Sequence, residues 1–125
     1  MAGALTISTL NDSSGVLATQ NGMSGIAKAW VNFDSAGTIR GSFNVSSVTR
    51  NATGDFSINF TTAMPDTNYS ASMSMRRAGT NDVIFACPFG VSSGTAFSTT
   101  SLRIRVFNQT PSAENPDTGC VQVFR

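Results

Sequence analysis

Residues 55–76 read DFSINFTTAMPDTNYSASMSMR. In the first part, Phe56, Ile58 and Phe60 alternate strictly with Ser57, Asn59 and Thr61. Side chains of a strand point to opposite faces in turn, so this alternation predicts a strand with one buried and one wet face. Met64-Pro65-Asp66-Thr67-Asn68 then reverses the chain. Beyond it Tyr69, Ala71, Met73 and Met75 face one way, and Ser70, Ser72, Ser74 and Arg76 the other. Period-two runs separated by a Pro/Asp-rich turn indicate antiparallel sheet.

The same grammar extends in both directions. Upstream, IAKAWVNF (26–33) puts Ala27, Ala29, Val31 and Phe33 on one face, with Ile26, Lys28, Trp30 and Asn32 on the other. Asp34-Ser35-Ala36-Gly37 has the Asp and Gly that a type I turn prefers at its ends. TIRGSFNVSSV follows, with Ile39, Gly41, Phe43 and Val45 alternating with Arg40, Ser42 and Asn44, and the two runs read as a hairpin. Residues 50–55 read as a turn region. Downstream, Val83, Phe85, Cys87 and Phe89 supply a strand that Pro88 confines to an edge or ends, because proline has no N–H for a ladder. Phe97 falls in a short strand, Leu102, Ile104 and Val106 alternate with Arg103 and Arg105, and residues 110–119 with two prolines are irregular. Cys120 to Phe124 forms the last strand.

No window carries a helical stripe longer than about two turns. Strands at roughly 10–15-residue spacing, bounded by Gly, Asn, Asp and Pro, predict an all-β fold: a single antiparallel sandwich-like domain. Residues 26–125 are expected to form this domain. Residues 1–25 are expected to form an N-terminal docking or intersubunit arm, centred on Leu5–Gln20.

Composition narrows function. Of 125 residues only 12% are charged, and eight basic against seven acidic side chains give a net charge of +1, which offers no field to attract nucleic acid. Solubility rests on 17 Ser, 15 Thr and 10 Asn instead. No apolar run approaches a membrane span, and the start, MAGALTIST, lacks the basic and apolar regions of a secretory signal. Histidine is absent, removing the commonest general base, the His-activated nucleophiles and imidazole metal ligands. Lys28 and Glu114 are the only residues of their types, and the six Asp stand singly. The expectation is therefore a non-enzyme with no catalytic, cofactor-binding or metal-binding residue.

Several residues invite a functional reading beside a plainer one. Cys87 and Cys120 read as two buried thiols, or as a disulfide between neighbouring strands; two Cys without His do not complete a zinc site. Arg103 and Arg105 share a strand face, which suits a carboxylate or phosphate, a solvated surface, or acidic residues of a neighbouring subunit. Arg76-Arg77 reads the same way. Asn-X-Ser/Thr triplets at Asn11, Asn44, Asn51, Asn59, Asn68 and Asn108 arise by chance in so hydroxyl-rich a chain. Asp34, Asp66 and Asp117 lie in turns, where side-chain to backbone bonding explains them. Trp30 reads as a core or subunit-interface anchor, or as a sugar-stacking platform.

Low charge and few long flexible side chains suit a surface that packs against copies of itself, since ordering Lys or Glu costs up to about 2 kcal/mol in rotamer entropy. Residues 15–70 add a specific resemblance. AKAWVNF (Ala27–Phe33), SFNVSS (Ser42–Ser47) and GDFSINFTTAMPDTNY (Gly54–Tyr69), with the closing VQVFR, resemble a recurrent domain of tailed-bacteriophage virion proteins, especially those of marine and cyanobacterial phages. The resemblance implies a non-enzymatic structural protein of the tail-fibre, spike or receptor-binding type. It further implies a homotrimer made in the host cytoplasm and displayed on the virion, contacting other virion proteins and a host-surface glycan or protein. It supplies no catalytic motif. The brevity of the segment before AKAWVNF also fits a fibre tip or a capsid decoration (cement or knob) protein, and a carbohydrate-binding module is the third reading. Nucleic-acid binding and membrane insertion are not expected. Residues 75–119 carry no part of the resemblance, and a partner-specific surface is expected there.

Overall fold

The computed structural model describes residues 26–77, 83–90 and 94–125. The expected N-terminal arm, including Leu5–Gln20, lies outside the described residues. Among the described residues there are eight strands: β1 (Ala27–Phe33), β2 (Ile39–Phe43), β3 (Val45–Ala52), β4 (Asp55–Phe60), β5 (Ser70–Arg76), β6 (Ile84–Pro88), β7 (Ser101–Asn108) and β8 (Thr118–Phe124). They form two antiparallel four-stranded sheets, a front sheet ordered β2-β1-β8-β5 and a back sheet ordered β3-β4-β7-β6. The all-β sandwich expected from the periodicity is the fold. Pro88 ends β6, an edge strand, as its missing N–H requires.

The core lies between the sheets. Ala29, Val31, Phe33, Val121 and Val123 from the front meet Val48, Phe56, Ile58, Leu102, Ile104 and Val106 from the back. Burying a side chain of this size contributes about 1.5–3 kcal/mol. Phe33 and Phe56 join the sheets with ring centroids 5.3 Å apart. Near one end, Tyr69 meets Phe60 edge-on at 5.8 Å and Phe97 at 5.2 Å. The Tyr69 hydroxyl contacts the backbone oxygens of Ser98 and Ser101 at 3.0 and 3.1 Å, and burial pushes its pKa up to about 12.

The turn at Asp34 is as expected: its Oδ1 accepts from the N–H groups of Ala36 and Thr38, both at 2.9 Å. Four other expectations need correction. The run 38–48 is two strands, because Asn44 adopts the left-handed φ of 54° and carries the chain from the front sheet to the back. The Asn44 side chain clasps that crossing. Its Nδ2 donates to the backbone oxygens of Lys28 and Thr62 at 3.0 and 3.1 Å, while its Oδ1 accepts from Thr62 N–H at 2.7 Å.

The second correction concerns facing. A register shift in the β1–β2 pairing leaves Ile39 against the core while Phe43, opposite Trp30, is turned outward and 42% exposed. A second irregularity between Ala27 and Ala29 takes Lys28 out of the alternation, and it is 1% exposed rather than on the wet face. In β6 the inward residues are Ile84 and Ala86, so Phe85 points outward, opposite in phase to the sequence reading. Third, the turn region 50–55 shrinks to Thr53-Gly54, with strand on both sides. Gly54 has φ 68°, and a Cβ there would stand 2.8 Å from the Glu114 nitrogen, so only glycine fits.

The fourth concerns the cysteines. Cys87 is in the back sheet and Cys120 in the front; both are free and half-buried, so they are neither a neighbouring-strand disulfide nor fully buried thiols.

Candidate functional site

The outer face of the back sheet gathers the polar and cationic residues that the alternation turned away from the core. Its two central strands, β4 and β7, pair Asp55 with Arg105 and Ser57 with Arg103. Phe56, Ile58, Leu102 and Ile104, which alternate with these residues, are fully buried. The inward half of each strand thus fixes the position of its outward half.

Arg103 and Arg105 share this face, as their spacing requires, but their partners differ. Arg103 grips Asp55 in a bidentate pair: Nε donates to Oδ1 at 2.8 Å and Nη2 to Oδ2 at 2.6 Å. This hydrogen bonding holds the Asp55 carboxyl below its ordinary value, helped by Asn51 and by the positive charges of Arg103 and Arg105, and it raises that of Arg103. The acidic partner foreseen on a neighbouring subunit is therefore in the same chain. Arg105 makes no ion pair among the described residues. Its guanidinium lies 5.0 Å above the centre of the Phe89 ring, a cation–π contact.

Around this centre the face has two characters. On the β3 side, Asn59 Nδ2 donates to Ser47 Oγ at 2.9 Å and Thr49 Oγ1 at 3.0 Å. Asn51 Nδ2 donates to Ser57 Oγ at 2.9 Å and Asp55 Oδ1 at 3.1 Å. Each amide spends both N–H bonds inside the lattice. Ser47, Thr49 and Ser57 are used there as acceptors, so each keeps its own O–H for an outside acceptor. On the β6 side the face is apolar: Phe85 is 48% exposed and packs against Phe107, ring centroids 5.9 Å apart. Hydrogen-bonding groups and aromatic surface thus lie side by side on one rigid sheet.

The outer face of the front sheet carries a second patch. Trp30 is 42% exposed and stands opposite Phe43. Its six-membered ring lies over Gly41, whose missing Cβ would stand 3.5 Å from Cζ3. Trp30 is therefore not a core residue. Two residues along β1, Asn32 Nδ2 lies 3.5 Å from Cys120 Sγ, and Asn32 Oδ1 is buried without a hydrogen-bond partner among the described residues.

Most of the remaining candidates have structural partners, and Asn11 lies outside the described residues. Arg76 pairs with Asp117 at 3.5 Å and Arg77 with Glu114 at 3.4 Å. Asp66 pairs with Arg125 and accepts from Asn68 N–H at 2.8 Å. Of the Asn-X-Ser/Thr triplets, Asn44, Asn51 and Asn59 use their amides within the fold, and Asn108 Oδ1 accepts from Thr110 and Ser112 N–H. Among the described residues no three of Cys, Asp and Glu come together as a metal site. Sequence reasoning missed Asp55, Asn51, Asn59, Phe85 and Phe89 as members of one surface. Only the outward phase of β4 hinted at it, because the phase of β6 was misread.

No family model matches the chain, and no curated protein matches it. Among solved structures, the fold is similar to part of the phiAB6 tailspike, crystallised in complex with three-repeated oligosaccharides of Acinetobacter baumannii surface polysaccharide. The TM-score is 0.53 at 10% identity, and the likeness covers 99% of this chain and 30% of the tailspike chain. The chain thus spans less than a third of the tailspike's length.

Proposed function

We propose that this protein is a non-catalytic, saccharide-binding structural module of a phage tail, of the fibre, spike or receptor-binding type. It is displayed on the virion as a homotrimer. The observation that carries the reading is the outer face of the back sheet. A sugar ring presents hydroxyls at its rim and a patch of C–H on its faces. The hydroxyls match the unspent O–H groups of Ser47, Thr49 and Ser57, and the C–H patch matches the exposed ring of Phe85. The hydrogen-bonded lattice holds these groups in place before a ligand arrives, which lowers the ordering cost of binding.

Two further lines support it. The fold is similar to part of a tailspike whose crystal contains surface-polysaccharide oligosaccharides, and residues 15–70 resemble tailed-phage virion proteins. The absence of turnover in this reading is supported by the acids. Among the described residues, Asp55, Asp66, Glu114 and Asp117 are each paired with an arginine and Asp34 accepts from backbone N–H groups, so no two of these carboxylates stand as a pair for acid–base work.

The test is a bacterial-glycan array probed with the purified protein, with its mass in solution measured in parallel. Retention of surface polysaccharides by a trimer, weakened by Phe85→Ala and Asn59→Ala, is the expected result. A strict monomer that retains no glycan and does not join phage particles would overturn it. Cleavage of a retained glycan would replace binding with hydrolysis. Hundreds of copies per particle would make the protein a capsid decoration component instead, a role for which the exposed Trp30–Phe43 pair would serve as packing surface.

A further inference from the structure

Resting on that saccharide reading, we infer that the ligand is an acid-bearing saccharide, and that Arg105 is the residue that reads its carboxylate or phosphate group. On the outer back face Arg103 and Asp55 cancel each other in a bidentate pair. Arg105 remains, positively charged and without an ion-pair partner among the described residues. The Phe89 ring beneath it fixes one side of the guanidinium 5.0 Å from the ring centre, leaving the rim of the fork for an anion.

Its surroundings suit an acidic sugar better than a free anion or a protein carboxylate. In the ladder Arg105 lies between Asp55 of β4 and Cys87 of β6. The next pair on this same face of β6 and β7 is Phe85 with Phe107, which offers aromatic surface two residues, or about 7 Å, along the strands. On the other side, Ser57 and the Asn51 amide begin the hydroxyl lattice. A sugar ring placed on Phe85 thus has its acid group within reach of Arg105. A second ring is carried over toward Ser57 and Thr49. Asp55 does not repel the acid, because Arg103 already neutralises it.

The experiment uses the full chain on an array of bacterial glycans that bear uronic or sialic acids, bear phosphate, or are neutral. Wild type, R105Q, R105K and R40Q are compared, each checked by circular dichroism and thermal melting. Arg40 is the control: it bonds Thr118 Oγ1 and the Asp117 backbone oxygen, away from this face. The expected result is retention of acid-bearing glycans, reduced at least tenfold by R105Q, reduced less by R105K, unchanged by R40Q and weakened by added salt. The carboxylate and phosphate arms identify which anion is read. Equal retention of neutral and acidic glycans, or retention indifferent to R105Q, overturns the inference and leaves saccharide binding standing. No retention of any glycan overturns both.

Discussion

The ring of Phe33 lies across Gly119, its partner on β8, with Cε1 2.6 Å from where a Cβ on that glycine would stand. Phe33 also touches Phe56 of the opposite sheet, so this one missing methyl sets how far the front sheet's largest core ring sits from the back sheet. Gly119→Ala is expected to destabilise by about 1–3 kcal/mol through overpacking. Gly41→Ala, whose Cβ would meet the Trp30 ring at an ordinary 3.5 Å, is expected to stay within about 0.5 kcal/mol. Urea unfolding of both variants makes the comparison, and equal effects would mean that Phe33 moves aside freely.

Asn44 combines a left-handed backbone with three side-chain hydrogen bonds. Asn44→Ala loses the bonds and strains the backbone, for an expected cost of about 2–4 kcal/mol. Asn44→Gly loses only the bonds and is expected to be about 1 kcal/mol less damaging. Denaturation midpoints that place glycine below alanine would contradict this account of the sheet crossing.

Asp55 carries an acid-dependent share of the stability. Arg103 holds its folded-state pKa below the unfolded value, so the contribution is present above the unfolded carboxylate pKa of about 3.9 and is lost as pH falls through the lower folded value. Asp34 and Asp66 are also lowered, chiefly by backbone N–H groups of Thr38 and Asn68. Stability is therefore expected to hold from neutrality to about pH 5 and to fall below about pH 4. Asp55→Asn should flatten that fall and cost about 1–2 kcal/mol at pH 7, since Arg103 can still reach water. Thermal melts across pH, wild type against variant, give the slope.

Tyr69 is the chain's single tyrosine, so tyrosinate absorbance reports it alone. Because burial raises its pKa to about 12, no ionisation is expected near the ordinary value of about 10. The sign runs opposite to that of Asp55: the protonated phenol's contribution is complete below about pH 10 and lost as pH rises toward the folded value. Tyr69→Phe leaves the Ser98 and Ser101 oxygens without this donor and should cost about 1–2 kcal/mol. A spectrophotometric titration with an inflection near 10 in the folded protein would refute the arrangement.

The candidate site was legible only in part. Arg103 and Arg105 stand two apart in a clear strand, and the alternation was enough to put them on one wet face. That Asp55, 48 positions earlier, would take one of them and leave the other was not legible, because a side chain's partner across strands depends on register. The same limit explains Lys28 and Phe43. A pattern of period two assumes an unbroken ladder, and one extra residue in either strand reverses every side chain beyond it.

Local sequence was enough to settle the all-β class, most of the strands, the buried residues of β4 and β7, and the edge position that Pro88 imposes. These follow from local alternation and from what proline and glycine do to their own backbone. Tertiary structure alone decided the strand order, the sheet crossing at Asn44, the separation of Cys87 from Cys120, and the assembly of Asn51, Asp55, Phe85, Phe89 and Arg105 on one face. Those relations join residues far apart in the chain, and only the packing of two sheets about a common core fixes their distances.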